Sequence, residues 1–86
     1  MPGNKVHITF STTAGDLEED FPVNQPLHAI KREVMGRLKL DPSQADQFVV
    51  TLNGNVLDEQ KKLSELGIPE NAILVIERRE VTKIAQ

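Results

Sequence analysis

Three segments of this chain alternate between apolar and polar residues, the period-two pattern that predicts strands with one buried face. They are Lys5–Phe10, Phe48–Leu52 and Ile73–Glu77. The positions predicted to point inward are Val6, Ile8, Phe10, Phe48, Val50, Leu52, Leu74 and Ile76. The positions predicted to point outward are His7, Thr9, Val49, Thr51, Val75 and Glu77.

A further strand is predicted over Asp16–Val23, where the alternation is less regular. Leu17, Phe21 and Val23 share one parity along the strand, and Glu19 shares it with them. Either a bulge rotates Glu19 outward, or this is an edge strand with one end in water.

The segment after Gln25-Pro26 predicts a helix with one apolar face, because proline is tolerated in a first helical turn. The apolar residues at helical spacing are Leu27, Ile30, Val34 and Leu38. Asp41-Pro42-Ser43 is expected to end the helix. The basic residues expected on a solvated face are Lys31, Arg32, Arg37 and Lys39, with Glu33 and Arg37 paired one turn apart.

The second half of the chain predicts a tight hairpin, a helical turn and a last strand. Asn53-Gly54 is the dipeptide most typical of a two-residue hairpin, and a short strand over 55–57 follows it. A helical turn is predicted within 58–66, with Gly67 in the left-handed position after it. The order is therefore ββαββ with a short helical turn before the last strand. The core is predicted to contain Leu27, Ile30, Val34, Val50, Leu52, Leu57, Leu63, Leu74 and Ile76.

Composition narrows the range of functions. The 86 residues suffice for one domain, and the net charge of −3 argues against nucleic-acid binding, which needs a clustered positive field. There is no cysteine, and His7 and His28 lie on different elements without a partner at metal-ligand spacing. We therefore expect no metal, no cofactor, no small-molecule substrate and no enzymatic activity.

The distribution of apolar residues also bears on location. No apolar run approaches the length of a membrane span, and Met1–Asn4 lacks the basic and apolar segments of a signal peptide. We expect a cytoplasmic protein that does not enter the membrane.

The order of elements and the residues at key positions resemble the ubiquitin-like β-grasp family. The matching positions are Leu27, Ile30, Val34, Leu52, Gly54, Leu57, Leu63, Ser64, Ile68, Leu74 and Ile76. The resemblance implies an α+β fold in which a mixed five-stranded sheet packs on one helix. It also implies a ubiquitin-like domain over residues 1–79 and a flexible C-terminal tail over 80–86. Small stand-alone members, including bacterial ones, look most similar.

Three departures from the family pattern bear on function. Conjugated members end in Gly-Gly, because a terminal carboxylate must thread a narrow channel, but Thr82 stands at the matching position and no glycine follows Gly67. Ubiquitin's exposed apolar patch is matched by Thr51 and Glu77. Asn55 stands where ubiquitin has a lysine used for chain building.

Two functions follow as expectations. The first is a non-catalytic module that binds protein partners through the outward sheet residues His7, Val49, Thr51, Val75 and Glu77. Val49 and Val75 are equally well explained as ordinary strand residues. The alternative is a covalent modifier, or its precursor, handled by ubiquitin-like activating and conjugating enzymes. Its candidate conjugation tail comprises Val81, Thr82, Lys83, Ile84, Ala85 and Gln86.

Overall fold

The computed structural model describes residues 4–79 of the chain. Its elements are β1 (Lys5–Thr12), β2 (Gly15–Pro22), α1 (Leu27–Arg37), β3 (Phe48–Leu52), β4 (Asn55–Val56), α2 (Leu63–Leu66) and β5 (Ala72–Arg78). A 3₁₀-helical segment, Pro42–Gln47, lies between α1 and β3. The candidate conjugation tail, residues 81–86, lies outside the described residues.

The five strands form one mixed sheet in the order β2-β1-β5-β3-β4. β1 and β5 pair in parallel at its centre, whereas the other three pairs are antiparallel. The two strands furthest apart in sequence are therefore neighbours, and the sheet is mixed, as the family resemblance implies. This arrangement leaves β2 as a long edge strand and β4 as a very short one.

One face of the sheet is covered by α1, which buries its apolar stripe there. Leu27, Ile30 and Val34 are fully buried, as are Val50 and Leu74. Burial of each such side chain contributes roughly 1.5–3 kcal/mol. The predicted core is confirmed except at two positions, since Leu52 and Leu57 are only partly buried against it.

Glu19 shows how β2 accommodates a charge on the inner side of an edge strand. The pairing of β1 with β2 runs without interruption from Lys5 opposite Pro22 to Thr12 opposite Gly15, so the strand is an unbulged edge. The Glu19 side chain instead reaches α1. There Arg37 donates to its carboxylate with Nη1 at 2.5 Å and with Nη2 at 2.6 Å. The predicted pair of Arg37 with Glu33 is also present, at 3.7 Å.

Two turns with positive φ have residue types that tolerate this conformation. Asn53 and Gly54 both have positive φ, 54° and 83°, which is the geometry expected for a two-residue hairpin. Gly67 ends α2 in the left-handed conformation, at φ 67°. Helix α1 ends at Arg37, a few residues before the predicted stop at Asp41, whose side chain caps the 3₁₀-helical segment instead.

The prediction that Lys31 belongs to a solvated helix face is wrong. Its side chain is only 4% exposed, and its Nζ lies 2.6 Å from Oε1 of Glu59. The same nitrogen donates to the carbonyl oxygen of Phe48 at 2.9 Å. Because a buried ammonium needs such partners, Lys31 joins α1 to β3 and to the loop before α2.

Candidate protein-docking face

The surface of the sheet opposite α1, called the outer face below, is set by the strand register. Across it lie five rows of side chains, one row from each strand. In spatial order, they are Asp16, Glu18, Asp20 and Pro22 from β2; Lys5, His7, Thr9 and Ser11 from β1; Ile73, Val75 and Glu77 from β5; Val49 and Thr51 from β3; and Val56 from β4.

Two large apolar side chains stand exposed on this face. Ile73 is 62% exposed and Val56 is 66% exposed, and these are the two exposed large hydrophobic residues within the described range. Val75, which lies next to Ile73 on the same side of β5, is half-buried. Ile73 and Val75 therefore form an apolar area on the middle strand of the outer face, and Val56 adds a separate exposed apolar side chain on the edge strand β4.

Five residues were predicted to form the contact surface, and the structure places all of them on the outer face with different exposures. Glu77 is exposed, and His7 and Val75 are half-buried. Val49 is only 9% exposed and Thr51 only 5% exposed. Thr51 lies between its cross-strand neighbours Val75 and Val56, which leaves little of it for a partner to contact.

A shallow depression lies where β5 ends beside β3 and β4. Val49, Val56, Glu77, Arg78 and Arg79 line it. Arg79 is held there, because its backbone N–H donates to the carbonyl of Gln47 and its Nε donates to the carbonyl of Asp46.

His7 forms the most specific polar contact on the outer face. Its Nδ1 lies 2.7 Å from Oδ1 of Asp20, and its Nε2 lies 2.7 Å from Oε2 of Glu18. The hydrogen bond to Glu18, followed by the one to Asp20, raises the pKa of His7 above its ordinary value. With a carboxylate at each ring nitrogen, the imidazolium form, in which both nitrogens donate, fits this geometry best.

Sequence reasoning missed Ile73, Val56 and the carboxylates around His7. The parity of β5 already places Ile73 on the same side as Val75, so its position was available from the alternation. The contact of Glu18 and Asp20 with His7 was not available in this way. Their contact with His7 depends on the register between β1 and β2.

Two further findings concern residues 4–79. No group of three or more histidine and carboxylate side chains there is placed to hold a metal ion. None of the helices in that range is long and apolar enough to cross a bilayer.

The topology and the two-residue hairpin define the ubiquitin-like β-grasp fold, and several solved structures superpose on the chain. Ubiquitin from Caldiarchaeum subterraneum matches with a TM-score of 0.72 and 24% identity, over 92% of this chain and 99% of that one. A protein designed de novo on the basis of ubiquitin matches with a TM-score of 0.75 and 20% identity, over 98% and 99%. A chain of the pParkin–pUb–UbcH7 complex matches with a TM-score of 0.75 and 20% identity, over 92% of this chain and 24% of that one.

Within this fold class, the chain belongs to the family described as Protein of Unknown function (DUF2604), whose model matches residues 1–78. A comparison with curated proteins finds no match.

Proposed function

We propose that this protein is a non-catalytic ubiquitin-like module that binds a protein partner through its outer face. The observation that carries the proposal is the exposure of Ile73 and Val56 on the sheet surface opposite α1, within residues 4–79. Ile73 adjoins the half-buried Val75 on β5, whereas Val56 stands on the edge strand β4. Exposed apolar area with a polar surround is typical of protein interaction sites.

The neighbouring residues support the same surface. Val75 extends the apolar area from Ile73 toward Thr51, and Glu77 borders it with a charge. The predicted contact residues Val49 and Thr51 act in this proposal as a support beneath the surface, because they are buried there.

The proposal is tested by placing a photo-crosslinking amino acid at position 73 and, as a control, at position 28 in the native host. His28 is exposed on α1, on the other side of the sheet. We expect one partner to be captured from position 73 and not from position 28. The purified partner should then bind the unmodified chain and fail to bind Ile73→Asp, while the unfolding free energy of that variant stays close to the parent's.

Equal crosslinking from both positions, or unchanged binding by a folded Ile73→Asp variant, would place the interface elsewhere. The helix side of the domain would then be the next surface to examine.

The covalent-modifier function is the second candidate, supported by the likeness to an archaeal ubiquitin and by a last strand, β5, that leads directly into residues 80–86. It requires activating and conjugating enzymes to accept a tail with Thr82 at the position of the usual glycine. Mass spectrometry of the protein from its native host tests it. A branch peptide joining a residue of 81–86 to a target side chain would establish conjugation.

A further inference from the structure

Glu18 and Asp20 form a pair of carboxylates that could bind a cation, and the imidazole of His7 occupies the position between them. Glu18 and Asp20 project side by side from β2 on the outer face, and the imidazole sits against one oxygen of each at 2.7 Å. This geometry is that of a charge-assisted hydrogen bond on either side of the ring.

The carboxylates of Glu18 and Asp20 can still accept hydrogen bonds from a second positively charged group. The side chain of Glu18 is 63% exposed and that of Asp20 is 61% exposed, whereas the His7 side chain is 30% exposed. Each carboxylate uses one of its two oxygens in the contact with His7. A cation arriving from solvent therefore meets open carboxylate oxygens with the imidazole lying beneath them.

The surroundings of His7 define the local charge. Asp16 continues the acidic row along β2, and Lys5, two residues before His7 on the same side of β1, adds a positive charge next to it. From β5, the nearest outer-face side chain is the apolar Ile73, which is paired with Thr9. The acidic row thus runs along the β2 edge of the outer face, and the β1 row lies between it and Ile73.

From this arrangement we infer that the partner of the outer face presents a lysine or arginine that binds between Glu18 and Asp20, in competition with His7, while apolar side chains next to that cation cover Ile73 and Val75. The inference rests on the proposed function and adds the chemistry of the partner. Charge complementarity is its basis, because the edge strand β2 carries three carboxylates on the outer face.

The spacing of the strands limits the shape of such a partner. β2 and β5 are separated by β1 alone, so the acidic and apolar rows lie about 10 Å apart, twice the spacing of neighbouring strands. That distance is close to the diameter of an α-helix with its side chains. An amphipathic helix with basic residues along one flank of its apolar stripe fits both rows at once.

The test is an NMR titration of the full isotope-labelled chain with a synthetic helical peptide built from leucine, alanine and arginine. A matched peptide carries glutamate in place of arginine. We expect the arginine peptide to shift the amide signals of Glu18, Asp20 and Ile73 in a saturable way, and the glutamate peptide to leave them unchanged.

Substitutions in the chain separate this inference from simple apolar docking. The double variant Glu18→Gln, Asp20→Asn should weaken binding of the arginine peptide about tenfold, because charge-assisted bonds are lost. His7→Gln should strengthen it several-fold, since the competing internal cation is removed. The control double variant Glu33→Gln, Asp46→Asn changes the net charge equally at two exposed residues away from this site, and it should bind like the parent.

Two results would overturn the inference. In the first, the peptide shifts Ile73 and Val75 while the Glu18, Asp20 double variant and the control double variant bind equally; apolar docking on the outer face would then stand without a cation site. In the second, His7→Gln binds no better than the parent although the double variant binds more weakly. The carboxylates would then attract the peptide at long range, without competition from the imidazole.

Discussion

At the scale of single residues, His7 is held in its position by two charges rather than by burial. The carboxylates of Glu18 and Asp20 face its two ring nitrogens, which favours the protonated ring and raises its pKa. The residues are separated by 11 and 13 positions, so only the pairing of β1 with β2 reveals the contact.

The raised pKa makes a prediction about the pH dependence of stability. A group whose pKa is higher in the folded state stabilises the fold fully below its unfolded pKa, about 6.5 for histidine. That contribution is lost as the pH rises through the folded pKa. We therefore expect the unfolding free energy to fall as the pH is raised from below 6.5 through this range, and His7→Gln to flatten the fall. Urea denaturation at a series of pH values measures this, and an identical pH profile in the variant would contradict it.

The pair of Lys31 and Glu59 makes a second prediction at this scale. Glu59→Ala leaves a buried ammonium whose remaining partner among residues 4–79 is the Phe48 carbonyl. We expect a loss of stability toward the lower end of roughly 3–5 kcal/mol, because the Glu59 side chain is 17% exposed. Adding Lys31→Met should recover part of the loss by removing the charge. Urea denaturation of both variants checks this, and a double variant less stable than Glu59→Ala would refute it.

At the scale of elements, alternation in β5 decides which side chains face the core. Leu74 is fully buried under α1, and its neighbour Ile73 is 62% exposed on the outer face. Leu74→Ala should cost about 2–5 kcal/mol through the lost apolar transfer and the cavity that remains. Ile73→Ala, the matched control, should cost about 1 kcal/mol or less. Equal losses in chemical denaturation would mean that the register of β5 is wrong.

The elements that the sequence predicts best are those with a strong period. The inward sets of β1 and β3 follow directly from alternation, and the face of α1 follows from helical spacing, because both periods are properties of the backbone. The 3₁₀-helical segment Pro42–Gln47 has one buried residue, Ala45, and so carries no periodic signal. Local pattern does not decide which face of β2 Glu19 occupies. Its partner Arg37 lies on another element, and such a pairing between distant residues leaves no periodic signal in the sequence.

The same limit applies to the candidate site. Alternation was sufficient to assign Val49, Thr51 and Val75 to the outer face. It could not give their exposure, since Thr51 is covered by side chains on β4 and β5 that only the sheet order brings beside it. Exposure depends on neighbours from distant parts of the chain.

At the scale of the whole molecule, α1 packs on one face of the sheet, and the proposed contact surface is the opposite face. The core is assembled on the side of α1, and the described core residues all precede Arg78. The residues that form the core are therefore distinct from those on the outer face, whose rows of side chains differ in polarity. In the interaction-module proposal, the residues after Arg79 are needed neither for the stable domain nor for the outer face.

That separation leads to the last prediction, which distinguishes the two candidate functions. A chain ending at Arg79 retains every described strand and core residue, so its unfolding free energy should change by less than about 0.5 kcal/mol. If the protein is an interaction module, this chain should bind the partner captured from position 73 with unchanged affinity, and Ile73→Asp in the same background should abolish binding. If it is a modifier, the shortened chain should form no conjugates and should lose function in the native host. Full activity of the shortened chain would exclude attachment through residues 81–86, whereas loss of activity with intact folding and partner binding would favour conjugation over docking alone.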